Sequence, residues 1–266
     1  MKALTILVAA MVILGAAIAA SADTKLEVRT ESLLGQGNDG TAIIYLSGLK
    51  ARIDSDEGGG AFTVIYFGGD DPLYWVIDRK NKSYVELTKS DMTAIQAQVE
   101  QAMKMFEEQL AEAPPERREY MRQMFQQQMG RMPGESIETD YEKVGSGVMI
   151  NEWKCDHYVG TANDKKAEEV WAVNFDDVDV SRDDFRVFGE MAAMFAEIGQ
   201  RTPAFFQFFL EGPDAPPLKG LPVLVVSYVN GEKSEKSSLE NIGKESFNPQ
   251  LFELPEGLTK QKMPTQ

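Results

Sequence analysis

One cysteine, Cys155, and one histidine, His157, are all that the 266 residues contain of either type. A single cysteine excludes an internal disulfide and any Cys-rich zinc or iron–sulfur site. A single histidine excludes a multi-His metal centre within one chain. Basic residues are scarce: 27 Lys and Arg against 42 Asp and Glu leave a net charge of −15. A nucleic-acid binder would show the opposite balance. There is no G-x-S-x-G, no P-loop and no G-x-G-x-x-G leading into a Rossmann pattern. No enzymatic activity and no cofactor are expected. Hydrophobic residues at 43% and charged residues at 26% place the chain among ordinary globular proteins.

The first segment stands apart. Met1-Lys2 is a short positive start, Ala3 to Ala20 is uncharged and mostly apolar, and Ala20-Ser21-Ala22 is an A-x-A pattern followed by Asp23. This reads as a cleavable signal peptide ending near Ala22. The competing reading is an uncleaved anchor, because about 18 apolar residues nearly span a bilayer. The small-residue site, and an acid rather than a basic cluster after it, favour cleavage. The site has no cysteine, so a lipoprotein lipobox is missing. The expected product is a periplasmic or otherwise exported domain, 23–266, with no stable membrane insertion. It keeps 26 basic and 42 acidic residues, a surface repelled by anionic membranes.

Residues 25–89 read as a run of short strands: 41–46, 50–54, 61–67, 73–78 and 83–87. They are β-branched or aromatic and separated by Gly, Asp or Asn. The short connections imply an antiparallel meander. From 90 to 133 the period changes. Met92, Ile95, Val99, Ala102, Met103, Phe106 and Leu110 recur at spacings of three and four and form one helical stripe. Thr88 or Ser90 can cap its start, and Pro114-Pro115 stops it. Met121, Met124, Phe125 and Met129 form a second stripe, ended by Gly130 and Pro133. Strands return over 137–175. Ser181 then caps a helix carrying Phe185, Phe188, Ala192, Phe195 and Ile198, and a short apolar segment follows at 205–210. The tail is a hairpin, 223–229 and about 236–242, turning at Asn230-Gly231.

The C-terminal order has a counterpart. Gly220-Leu-Pro222 leads into a strand, then a hairpin, then Leu239-Glu-Asn-Ile242, and Phe252-Glu-Leu-Pro255-Glu-Gly257 closes it. This resembles the end of periplasmic lipoprotein carriers of the LolA, LolB and LppX type. It also resembles a secreted bacterial family of unknown function that often has a Cys followed by an aromatic on a central strand, here Trp153-Lys-Cys155-Asp-His-Tyr158. The resemblance implies an α+β fold: a curved antiparallel half-barrel with helices covering its concave face. In those carriers the covered space holds acyl chains. The Met-rich helical insertion at about 90–133 departs from them, so no ligand-contact residue transfers.

Two clusters are the candidate ligand surface. Phe205, Phe206, Phe208, Phe209 and Leu210 are apolar on nearly every side. Seven methionines lie in 90–133, and Met suits surfaces that repack around varied apolar ligands. Met103, Phe106, Met121, Met124, Phe125, Phe205, Phe206 and Phe209 are therefore the residues expected to line a site for a lipid or acylated protein. A filled core built from the same stripes, in an envelope interaction protein without a small ligand, is the alternative. Thioethers at Met121-x-x-Met124 also have a spacing suited to Cu(I), but core or lid packing already accounts for them. Cys155 and His157 share one strand face at roughly 7 Å, too far for a nucleophilic pair, which points to a buried structural Cys. The acidic run 176–184 fails the EF-hand template at Arg182 and Phe188. The oligomeric state is not written in these patterns.

Overall fold

The computed structural model describes residues 23–35, 39–114, 116–118, 120–121, 139–197, 208 and 218–262. The first meander comprises β1 (Asp23–Ser32), β2 (Gly40–Ser47), β3 (Lys50–Glu57), β4 (Gly60–Phe67), β5 (Leu73–Asp78) and β6 (Ser83–Thr88). Helix α1 (Lys89–Glu112) follows. The second meander comprises β7 (Asp140–Ile150), β8 (Trp153–Ala162) and β9 (Lys165–Val173). A 3-10 turn at Arg182–Phe185 runs into α2 (Arg186–Glu197). Then come β10 (Leu221–Val229), β11 (Glu232–Glu245) and the short β12 (Thr259–Lys260).

All these strands join one sheet in the order β12-β6-β5-β4-β3-β2-β1-β11-β10-β9-β8-β7. Every pairing is antiparallel except β12 with β6. The fold is thus the expected α+β type, an open curved antiparallel sheet with helical cover. The two meanders are stitched by β1 and β11, with Leu26 opposite Ile242 and Val28 opposite Leu239. The curvature has a local cause. The ladders of β2 to β6 run without a register break, whereas bulges interrupt β1–β11, β10–β11, β9–β10, β8–β9 and β7–β8. Each bulge adds twist and bends its strand.

Alternation along β2 to β5 sends side chains to two cores. One face presents Leu46, Ala51, Tyr66 and Tyr74, all buried beneath Phe185, Val187, Phe188, Met191 and Ala192 of the turn and α2. The other presents Ile65 and Ile77, buried under the tail through Phe252, with Phe247, Leu251, Leu254 and Leu258 beside it. Arg52 ties that tail down: its Nη1 donates to the Leu251 carbonyl at 2.8 Å while Asp54 holds its Nε at 3.0 Å. Cover on both faces explains why 61–67 is almost continuously apolar.

Both helix starts follow the sequence. Thr88 caps α1 in a reciprocal box with Asp91, whose Oδ2 accepts the Thr88 N–H at 2.8 Å. Ser181 does the same with Asp184 at 2.7 Å, and Lys244 of β11 clamps that carboxylate at 2.7 Å. Burial works to raise the Asp184 pKa, but Lys244 and the Ser181 N–H outweigh it and hold the carboxyl below the ordinary range. Asn230 and Gly231 turn the tail hairpin with φ of 53° and 84°, the left-handed pair a type I′ turn requires. β7 and β11 are longer than the sequence indicated, and β1 becomes the central staple of the sheet.

Candidate functional site

Burial on the α2-bearing face falls off along the strands. One cross-strand row runs Thr24, Leu46, Ala51, Tyr66, Tyr74, and every member is buried. The next row runs Leu26, Ile44, Ile53, Val64, Val76, Val85. Leu26 and Ile44 are buried in it, but Ile53 and Val64, which pack against the edge of the main core, and Val76 and Val85 beyond them are only half-buried. One row further, Phe62 is 42% exposed. Four half-covered aliphatic side chains on adjacent strands span roughly 14 Å at ordinary strand spacing. An apolar strip of this kind can take an aliphatic chain laid across the strands.

Helix α1 leaves the sheet at one end of this strip. Its Met92 is buried and Ile95 half-buried, both in the main core. Further along, Phe106 is 8% exposed and Met105 52%. At 24 residues the helix is about 36 Å long, far more than the two turns that join the core at its start. Of the other expected ligand residues, Met121 is half-buried, and Met103 lies on α1. Met124, Phe125, Phe205, Phe206 and Phe209 lie outside the described residues. Phe208, from the same aromatic run, is buried with Tyr158, Val170, Ala172, Leu218 and Val225. By alternation along β8 and β9, those sheet residues point away from Cys155 and Val173, which belong to the main core. Phe208 therefore packs as core. The strip 53, 64, 76, 85 was not singled out from the sequence. Its signal was present as aliphatic residues at register-matched positions, but only the ladder aligns them.

Cys155 is 1% exposed, with its thiol directed at the Trp153 carbonyl at 3.5 Å. Burial pushes its pKa up to about 11, so it is a packed thiol rather than a nucleophile. Two residues on, His157 stacks flat on Trp171 with ring centroids 4.3 Å apart. Its Nε2 lies 3.5 Å from Glu169 Oε1, but the approach is not aimed as a hydrogen bond, and the nitrogen is buried without one. Glu169 also holds Lys166 at 2.7 Å and accepts the Tyr228 hydroxyl. Burial opposes charge on Glu169, yet Lys166, Tyr228 and His157 keep its pKa below the ordinary value. Glu169 thus holds the Lys166 amine and the Tyr228 hydroxyl, while the imidazole lies beside the carboxylate without a hydrogen bond to it. Among the described residues no three His, Cys, Asp or Glu side chains converge to hold a metal ion. No described helix is long and apolar enough to cross a membrane.

No family model matches the chain, and no curated protein matches it. Among the solved structures that resemble it at low similarity are these two. One is the crystal structure of MucB, at 10% identity and TM-score 0.34, covering 90% of this chain. This chain spans 60% of that one. The other is a LolA superfamily protein from Nitrosomonas europaea, at 8% identity and TM-score 0.29, covering 88% of this chain and 90% of that one.

Proposed function

We propose that the chain is an exported periplasmic binding or carrier protein for an apolar ligand, a lipid or the acyl chain of a modified protein. The observation that carries this reading is the half-covered strip Ile53, Val64, Val76 and Val85 beside α1. A strip sealed by its own helices would be as buried as the neighbouring row. The signal-like segment 1–22 and the Met-rich stretch after β6 support the same reading. Transfer of an acyl chain onto such a surface contributes about 0.8 kcal/mol per methylene, so sixteen carbons supply on the order of 12 kcal/mol before association costs.

The second reading is an interaction protein with a filled core and no small ligand, and burial of Phe208 within a sheet core favours it. Native mass spectrometry of protein purified from the periplasm of its own host, before and after organic extraction, separates the two. Extractable lipid mass supports the carrier. A bare chain, with one stoichiometric protein recovered from the envelope, supports the interaction protein.

A further inference from the structure

A cavity of about 320 Å³ lies where β1 begins, between the ends of β1 and β2 and the turn before α2. Its polar lining is Asp23, Thr24, Ser47, Asp183, Asp184 and Arg186. Thr24 is 1% exposed, and its hydroxyl has no hydrogen-bond partner among the described residues. It projects from the same face as Leu46, its neighbour on β2, towards the 3-10 turn. A buried hydroxyl left unpaired is costly and marks a missing partner.

The charges say which partner. Three carboxylates line the cavity against one guanidinium, Arg186. Lys244 is engaged by Asp184 at 2.7 Å, and Glu245 lies opposite Asp23 in the β1–β11 register. β2 contributes no ionisable side chain here, only Ser47 and Gly48. Even with Arg186 and the Lys244 ammonium counted, the three carboxylates outnumber the positive charges by one. Asp23 is also the residue that follows the expected cleavage site. Hydrolysis of the Ala22–Asp23 amide by a leader peptidase adds one water, leaving a carboxylate on Ala22 and an ammonium on Asp23.

Resting on the export reading above, we propose that the α-ammonium of Asp23 created by leader removal is seated in this cavity beside the Thr24 hydroxyl, with the Asp183 carboxylate as its acceptor. Processing then supplies the missing charge and fixes the first residue of the central strand. The seat raises the pKa of the ammonium above its unfolded value of about 8. Its stabilisation is complete below pH 8 and is lost as the pH rises through the seated value.

The test compares the chain beginning at Asp23 with the same chain carrying Gly-Ser before Asp23, by thermal melting at pH 7 and pH 10. The native start melts about 2–4 °C higher at pH 7, and the gap closes at pH 10. Asp183→Asn removes most of the gap at pH 7. Equal melting at pH 7, or a gap unchanged at pH 10, overturns the seat. The N-terminal mass of the chain exported by its host checks the leader separately. An uncleaved start at Met1 overturns the export step, whereas a cleaved start other than Asp23, or a start at Asp23 with equal melting, overturns the seat alone.

Discussion

Glu190 of α2 reaches across to the turn after β4, where its Oε2 accepts the Gly69 N–H at 3.1 Å. The same oxygen lies 3.4 Å from the Tyr66 hydroxyl. This contact pins α2 over the fully buried row and leaves the next row half-covered. Burial, with the Glu190 charge beside it, pushes the Tyr66 pKa up to about 12. Tyr74 packs on Tyr66 at a tilt, with ring centroids 4.3 Å apart, and burial raises its pKa as well. Replacing Glu190 by Gln keeps the shape but weakens acceptors that serve two donors. A loss of about 1 kcal/mol is expected, read as a lower denaturation midpoint in urea with unchanged slope.

Gly220 precedes β10 with φ of +111°, and a Cβ there would meet the Val173 carbonyl oxygen at 2.2 Å. Backbone cannot move aside as a side-chain tip can. Gly220→Ala is expected to cost more than about 2 kcal/mol, or to prevent soluble expression. Gly231→Ala, also at positive φ but with open space around it, should cost about 1 kcal/mol or less. Equal effects in the two variants would contradict the steric account.

The Asp184–Lys244 clamp predicts acid sensitivity with a definite sign. The Asp184 pKa is lowered on folding, so its contribution is present above the unfolded carboxylate value and is lost as pH falls through the folded one. Lys244→Met should lower stability near pH 7 and flatten the decline below about pH 4. Melting temperatures of both proteins across pH 2–7 measure this.

Cys155 should resist thiol reagents in the folded state, since it is buried and its pKa is raised. Maleimide labelling followed by mass spectrometry at pH 8 should show an unmodified chain without denaturant and one adduct in guanidinium. Rapid labelling of native protein would mean that β8 opens locally.

The strip itself is testable. Val85→Asn on β6 places an amide among half-buried aliphatics. It should reduce co-purifying lipid several-fold while costing no more than about 1–2 kcal/mol of stability. The same change at fully buried Val173 should instead unfold the chain.

Much of the architecture was legible in local sequence. Alternating β-branched and aromatic residues marked β2 to β6, Thr88 and Ser181 announced the helix starts, and Asn230-Gly231 fixed the tail turn. These signals need only near neighbours. The pairing of β1 with β11 joins residues about two hundred positions apart, and no local pattern encodes that register. β12 added in parallel to β6 is set by the tail packing on Ile65 and Ile77.

The candidate site divides the same way. Apolar composition marked Met103, Phe106, Met121 and the 205–210 run, but composition cannot say whether an apolar side chain meets its own core or a ligand. Phe208 turned out to be core, and the half-covered row lies on strands that looked merely structural. By itself the sequence determined the class of fold, the caps and turns, the acidic surface and the exclusion of disulfide and multi-His chemistry, because propensity, periodicity and charge are local properties. Only the tertiary structure decided which row α2 covers, where Thr24 is left without a partner and which valines stay half-open. Those depend on how far one helix reaches over a sheet whose curvature comes from bulges along β7 to β11 and β1.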